Sequence, residues 1–114
     1  MSDCIFCKII KGDIPSTNVF RDKQVTAFRD ISPSAPTHIL LVPNRHIDSI
    51  NMLTGEDEQL MGHLFTVASQ LAMQENVAEN GYRLIVNTGS HGGQTVPHIH
   101  LHLLGGAPMK HPMG

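Results

Sequence analysis

The chain has 114 residues, the size of one domain that buries a core without help from disulfides. Its 8 basic and 10 acidic side chains give a formal charge of -2, which argues against nucleic-acid binding through a basic surface. The 40% apolar content is typical of an ordinary globular protein, and we predict a single domain over residues 1–114 that binds neither nucleic acid nor a membrane. Histidine is unusually frequent, with 8 in the chain, whereas tryptophan is absent.

The N-terminal segment carries charges and a pair of cysteines. Asp3, Lys8 and Lys11 interrupt any apolar run there, so we predict no secretory signal and a cytoplasmic location. Cys4 and Cys7 are separated by two residues, a spacing more typical of metal chelation or of a redox pair than of a disulfide framework. A redox pair is expected within a βαβ pattern, and the sequence around these cysteines does not predict one.

The first half of the chain predicts one short helix and three strands. Apolar residues at roughly helical spacing favour a helix over residues 4–10, which a following glycine and proline end. Two β-rich runs at 18–21 and 24–30 are separated by a turn. After a loop with two prolines, residues 37–42 predict a strand that is too apolar to face solvent on both sides.

The second half predicts one long helix and two further strands. Thr54 is suited to cap a helix that runs to about Asn76, since acidic residues follow it in the first turn. The apolar residues of this helix recur at the spacing of an amphipathic stripe: Leu60, Met61, Leu64, Phe65, Val67, Ala68, Leu71 and Ala72. Residues 82–87 and 97–104 predict strands. These elements predict an α+β fold, with an antiparallel sheet of about five strands, one long helix and a short N-terminal helix.

Three histidines alternate with apolar residues in the last predicted strand. Side chains two residues apart on a strand share a face, so we expect His98, His100 and His102 on one face, about 6.6 Å apart. The outer two are then about 13 Å apart, too far for one metal ion, and the row instead suits an elongated ligand. A polar strand face that is simply solvated is the alternative interpretation.

A glycine-rich loop precedes this predicted strand. Residues 88–96 include three glycines, whose backbone N–H groups can approach an anion together with the Thr95 hydroxyl. Glycines more often only form turns. The loop and the histidine row together favour phosphate chemistry.

The segment His-Ile-His-Leu-His-Leu-Leu at 98–104 resembles the His-x-His-x-His-x-x motif of the histidine triad superfamily. The Gly-Gly-Gln-Thr-Val before it, the Gly-Gly after it and residues 27–40 are similar to the Hint-like branch, and the similarity extends over roughly residues 4–106. The resemblance implies a homodimeric enzyme that hydrolyses purine nucleoside 5′-phosphoramidates and releases AMP or GMP.

The resemblance also implies a catalytic role for each matched residue. His100 would attack the α-phosphorus and form a nucleotidyl-imidazole that water hydrolyses, which divides one difficult displacement into two easier ones. An imidazole with a pKa near ~6.5 is abundantly neutral at neutral pH, as a nucleophile requires. His102 would lie beside the phosphate oxygens, and Thr95 would contact the phosphate or the leaving group. His38 would orient the triad from behind.

Further matched residues would bind the nucleotide. Asp30 would bind both ribose hydroxyls, since a carboxylate offers two acceptor oxygens. Asn87 matches a polar position beside the phosphate, and Gly93 and Val96 belong to the phosphate loop. Five apolar residues would form the slot for the base, although the domain core is an equally good interpretation of them: Phe6, Ile9, Ile14, Phe28 and Ile31.

The cysteine pair resembles a zinc-bearing subgroup of the superfamily. In that subgroup the pair binds zinc together with a histidine after the central strand and the first histidine of the triad. The implied ligands are Cys4, Cys7, His46 and His98. A Cys2His2 set is a complete tetrahedral shell, so the zinc ion would be structural. Two free thiols are the alternative, and no organic cofactor is expected.

Three other functions stay open at this point. One is dinucleoside polyphosphate hydrolysis, the second a nucleotide-sensing module with little turnover, and the third a zinc-dependent scaffold. The combination of Asp30, Thr95 and His100 favours an enzyme over the sensing module and over the scaffold. The leaving group does not follow from the resemblance, because Pro97 stands where several relatives have an aromatic residue. Three histidines have no assigned chemistry: His63, His91 and His111.

Overall fold

A computed structural model describes residues 3–114. The helices are α1 (Ile5–Lys11) and α2 (Glu58–Gln74), and the strands are β1 (Asn18–Arg21), β2 (Val25–Arg29), β3 (Thr37–Pro43), β4 (Tyr82–Ile85) and β5 (Leu101–Gly105). The five strands form one sheet in the order β1-β2-β3-β5-β4, and every neighbouring pair is antiparallel. The predicted α+β fold, with one long helix and a short N-terminal helix, is confirmed.

The central strand β3 is buried along its whole length, and its alternate side chains enter two different apolar clusters. Ile39 and Leu41 pack in the cluster that α2 covers. Leu40 and Val42 pack in the cluster that includes α1. Because side chains alternate across a strand, these two clusters lie on opposite faces of the sheet. The sheet therefore separates a helix-covered core from the face on which α1 lies.

The start of α2 follows the predicted capping pattern. The Thr54 hydroxyl accepts the Glu56 N–H, and the Asp57 carboxylate accepts the Thr54 N–H, which makes a capping box around one 3-10 turn before Glu58. Phe65 was predicted in the apolar stripe, but its side chain is 55% exposed. It lies about 100° around the helix from Leu64, at the margin of the buried face.

The last strand, β5, begins at Leu101 and not at residue 97, so it is shorter than predicted. Its ladder with β3 pairs Leu41 with Leu101, and continuing this register would place Ile99 opposite Pro43. Proline has no N–H to donate, so the ladder ends there. The Ile99 N–H instead donates to the Ile47 carbonyl at 2.7 Å. His98 and His100 consequently lie in irregular backbone, while His102 lies in β5.

Other boundaries agree closely with the predicted ones, since β1 spans Asn18–Arg21 as predicted and β3 ends one residue later than predicted. The fourth strand ends at Ile85 and not at residue 87. No helix within residues 3–114 is long and apolar enough to span a bilayer.

Candidate active site

A hydrogen bond to the backbone determines which ring nitrogen of His100 is free. Its Nδ1 lies 2.7 Å from the backbone carbonyl oxygen of His98. Because a carbonyl only accepts, Nδ1 carries the proton and Nε2 keeps the lone pair. Burial lowers the pKa of His100, since the charged imidazolium loses its hydration, although the His98 carbonyl and Asp30 act in the opposite direction. The result is a neutral imidazole with one nucleophilic nitrogen.

His38 fixes the ring of His102 in a similar way. The Ser34 N–H donates to His38 Nδ1 at 3.0 Å, so the proton of a neutral His38 is on Nε2. That Nε2 lies 3.0 Å from His102 Nδ1, which must accept, and this leaves His102 with a proton on Nε2. Burial, with smaller contributions from His100 and His38, lowers the pKa of His102 to about 4. His102 is therefore a neutral hydrogen-bond donor at physiological pH.

Asp30 follows β2 and lies beside these histidines. Its backbone N–H donates to the His38 carbonyl oxygen at 3.0 Å, which carries the β2–β3 pairing one residue beyond β2. Its carboxylate oxygen Oδ2 is 3.5 Å from His38 Nε2. Asp30, His38 and His102 have donor atoms close enough to hold a metal ion. Both ring nitrogens of His38 are engaged in hydrogen bonds, however, so we interpret this group as a hydrogen-bonded chain and not as a metal site.

The predicted phosphate loop is closely folded. The Asn87 amide donates to the Gly92 carbonyl oxygen at 2.7 Å. A Cβ at Gly92 would lie 2.3 Å from the Thr88 carbonyl oxygen, so only glycine fits that position. Gly93 has a φ of 83°, in the left-handed region that glycine adopts without strain. Thr95 is exposed at the end of the loop, where its hydroxyl is accessible to a ligand.

Four of the five predicted base-slot residues come together beside His100. Phe6, Ile9 and Phe28 are buried in the cluster that includes α1, and Ile14 packs against it. The Phe6 ring stands edge-on to the His100 ring, with centroids 5.0 Å apart. Ile31 lies apart from them, with a side chain that is 97% exposed. The cluster therefore gives His100 an apolar wall.

The four predicted metal ligands also come together. Cys4 Sγ is 3.4 Å from His98 Nδ1, and Cys7 Sγ is 3.3 Å from His46 Nδ1 and 3.6 Å from His98 Nδ1. In a zinc tetrahedron with Zn–S near ~2.3 Å and Zn–N near ~2.0 Å, neighbouring S and N ligands are about 3.5 Å apart. The geometry of the donor atoms therefore fits a zinc ion.

The outer nitrogens of the two histidines strengthen this fit. His46 Nε2 lies 2.7 Å from the Asp48 carboxylate, and His98 Nε2 lies 2.9 Å from the Pro43 carbonyl oxygen. Both Nε2 atoms thus carry protons, and both Nδ1 lone pairs face the sulfurs, as in histidines that bind metals. Burial and the neighbouring Cys4 raise the pKa of Cys7, and a bound cation would supply the charge that a thiolate needs there. Asp48 was not predicted, because the sequence has no signal that distinguishes it from other surface acids.

The three histidines without assigned chemistry lie outside both groups. His63 on α2 pairs with the Asp22 carboxylate at 2.6 Å and joins the helix to the β1–β2 hairpin. His91 is exposed in the loop. His111 accepts a hydrogen bond from Arg83 through its backbone carbonyl.

Comparisons with known proteins agree with this geometry. A family model described as "Scavenger mRNA decapping enzyme C-term binding" matches residues 3–113. The "Purine nucleoside phosphoramidase" of Escherichia coli (strain K12) is 58% identical over 107 residues, which are 94% of this chain and 90% of that protein. A crystal structure of a HIT family hydrolase from Legionella pneumophila Philadelphia 1 superposes with a TM-score of 0.95 at 52% identity, over 98% of this chain and all of that one. A HIT family hydrolase from Clostridium thermocellum superposes with a TM-score of 0.96 at 42% identity, over 99% of this chain and 98% of that one.

Proposed function

Because the chain belongs to the histidine triad (HIT) family, we propose that it is a hydrolase that cleaves the P–N bond of purine nucleoside 5′-phosphoramidates. The observation that carries this proposal is the hydrogen bond from His100 Nδ1 to the His98 carbonyl oxygen, at 2.7 Å. That bond leaves Nε2 as the only lone pair of the ring, in a group that burial keeps neutral. The similarity to a phosphoramidase over 94% of the chain supports this substrate class.

The reaction has two steps at His100. In the first step Nε2 attacks the α-phosphorus, an N–P bond forms, and the amine departs with the electron pair of the P–N bond and takes a proton from solvent. In the second step water attacks the same phosphorus, the bond to Nε2 breaks, and the nucleoside monophosphate is released. The His98 carbonyl stabilises the imidazole while it is bonded to phosphorus, because the ring is then positively charged and its Nδ1–H is a stronger donor.

The residues around His100 hold the substrate in line for attack. His102 donates its Nε2–H to a phosphate oxygen, and it stays uncharged because its pKa is about 4. The Thr95 hydroxyl and the N–H groups of Gly93 and Val96 contact the phosphate or leaving group, beside the Asn87 amide. Asp30 accepts from the ribose hydroxyls. The purine lies against the apolar wall of Phe6, Ile9, Ile14 and Phe28. Ile31 is exposed outside this cluster and would contact the base only from the solvent side.

The Cys2His2 cluster of Cys4, Cys7, His46 and His98 is proposed to hold a structural zinc ion. When bound, zinc supplies a closed tetrahedral shell that joins α1 to the backbone before β5 and has no position for a reacting water. What supports this is the S–N spacing of 3.3–3.6 Å and the acceptor on each Nε2. Both cysteines are free thiols, which suits the proposed cytoplasmic location.

The proposed homodimer rests on two unpaired surfaces. Strand β4 is at the edge of the sheet, where one side of its backbone is open to another strand. On α2, Phe65 and Met73 are 55% and 67% exposed, two helical turns apart on the same side. A second copy of the chain covers such surfaces, and the mass of the protein in solution tests this.

The reaction is tested with a panel of substrates on one preparation. We expect hydrolysis of adenosine 5′-phosphoramidate to AMP, and slower hydrolysis of diadenosine polyphosphates. His100→Ala should lower turnover by at least about 10³-fold, as expected when a nucleophile is lost, while AMP still binds. His63→Ala serves as the matched control, because this histidine lies on α2 and contacts Asp22 outside the site. Faster cleavage of diadenosine polyphosphates would favour that activity instead, and AMP binding without any turnover would favour a sensing module.

A further inference from the structure

The Gln94 side chain uses both ends of its amide. Its Oε1 accepts the Gly89 N–H at 3.0 Å, and its Nε2 donates to the carbonyl oxygens of Asp48 at 2.7 Å and Val96 at 3.0 Å. These partners determine the orientation of the Gln94 amide. The Gly89 N–H needs an acceptor, which is Oε1, and the Asp48 and Val96 carbonyls need a donor, which is the NH2 group. No other residue type of this size offers one acceptor and two donors in this arrangement.

These hydrogen bonds join three separate parts of the site. Gly89 is at the start of the phosphate loop, and the backbone N–H of Gln94 returns to the Gly89 carbonyl oxygen at 3.0 Å, so two bonds close the loop. Val96 is at the end of the loop. Asp48 belongs to the segment after β3, and its carboxylate holds the outer nitrogen of His46. The loop is thereby anchored to the segment that carries His46 of the Cys2His2 cluster.

From these contacts we propose that Gln94 is a positioning residue, which holds the phosphate loop in the shape that receives the substrate phosphate. The proposal rests on the proposed function, since it assigns the loop to the phosphate of a nucleotide. Gln94 itself does not touch the reacting atoms in this role. It acts through the backbone of the loop, whose N–H groups contact the ligand only when the loop is closed.

Because the loop faces the phosphate and not the nucleoside, the role predicts a specific defect. A loop that is no longer anchored loses affinity for AMP, while adenosine, which has no phosphate, binds as before. A loss of overall folding would weaken both ligands alike. The ratio of the two affinities therefore separates positioning from general stability.

The experiment compares AMP and adenosine binding, by competition or calorimetry, in Gln94→Glu, Gln94→Ala and the wild-type protein. Gln94→Glu keeps the size but places a carboxylate oxygen against two carbonyl oxygens, and Gln94→Ala removes all three bonds. We expect AMP affinity to fall ~10–100-fold in both variants, the effect of losing two or three hydrogen bonds. Adenosine affinity should change by less than about twofold.

Gln59→Glu is the matched control, because it makes the same chemical change at an exposed position in the first turn of α2. An unchanged AMP affinity in both Gln94 variants, or an equal loss for AMP and adenosine, would overturn the proposal. The test does not depend on turnover. A protein that binds AMP through Gln94 but fails to cleave phosphoramidates would retain this role while the proposed reaction fails.

Discussion

Two groups of histidines meet at residues 98–100, and the two histidines at this junction, His98 and His100, differ in which ring nitrogen is left with a lone pair. His98 donates Nε2–H to the Pro43 carbonyl and directs Nδ1 at two sulfurs. His100 donates Nδ1–H to the His98 carbonyl and keeps its lone pair on Nε2. Burial lowers the pKa of both. Burial therefore does not distinguish the proposed metal ligand from the proposed nucleophile, and the carbonyl that each ring contacts does.

The same backbone also connects the two groups. The carbonyl oxygen that orients His100 belongs to His98, whose ring lies in the Cys2His2 cluster. The cluster offers four candidate ligands, which would close the coordination shell of a metal ion. The group of His38, His100 and His102 is open, since His38 and His102 border a cavity that Asn87 also lines. The Cys2His2 cluster would thus fix the backbone at His98, and the group around His100 leaves space for a substrate.

Removing a thiol is the strongest test of the closed group. We expect the wild-type protein to carry about one zinc ion per chain, and Cys7→Ser to carry almost none. The free energy of unfolding should fall by at least about 3 kcal/mol, a loss of ~10 °C in Tm, because the metal holds α1 against the sheet. Metal analysis and thermal unfolding measure this, with Ser90→Ala in the exposed loop as the control. Wild-type protein purified with less than ~0.1 zinc ion per chain would contradict the metal site.

A change at His38 should affect only the open group. His38→Ala breaks the chain from Ser34 to His102, so the His102 ring loses the partner that sets its proton on Nε2. We expect kcat to fall ~10–100-fold with the zinc content unchanged. His63→Ala is the matched control, since His63 is also hydrogen-bonded but contacts Asp22 in the hairpin. Loss of zinc from His38→Ala would show that the two groups are not separable.

The dependence on pH gives the most gradual effect. The pKa values of His38, His100 and His102 are lowered in the folded protein, so the unfolded chain takes up more protons below pH 6.5. Stability is therefore full above pH 6.5 and falls as the pH drops toward 4. His102, with a folded pKa of about 4, contributes roughly 2–3 kcal/mol of this loss.

Activity should follow the same groups. His100 stays neutral below pH 6.5, so we expect the acid limb of kcat/KM to lie below that value. Unfolding curves and initial rates from pH 4 to 8 measure both quantities. An acid limb with its midpoint at pH 7 or above would show that the reacting imidazole is not shielded as the structure indicates.

The sequence predicted the large elements because their signals are local. The capping pattern at Thr54 and the apolar spacing of α2 depend only on nearby residues. The start of β5 could not be predicted locally, because its pairing with β3 ends at Leu41, two residues before Pro43 and about sixty positions earlier in the chain. The prediction that Phe65 belongs to the buried stripe was wrong. Periodicity gives the angle between residues around the helix, but it does not show which edge of the apolar stripe packs against the sheet.

The candidate site residues could be proposed from the sequence, but the contacts between them could not. The histidine motif and the family resemblance point to His100 and His102, and the spacing of Cys4 and Cys7 points to a metal site. Ring tautomers, the acceptor on each histidine and the three contacts of Gln94 depend on atoms far apart in the chain, such as Pro43 beside His98 and Asp48 beside Gln94. A residue type specifies which donors and acceptors are present, and only tertiary packing decides which of them meet.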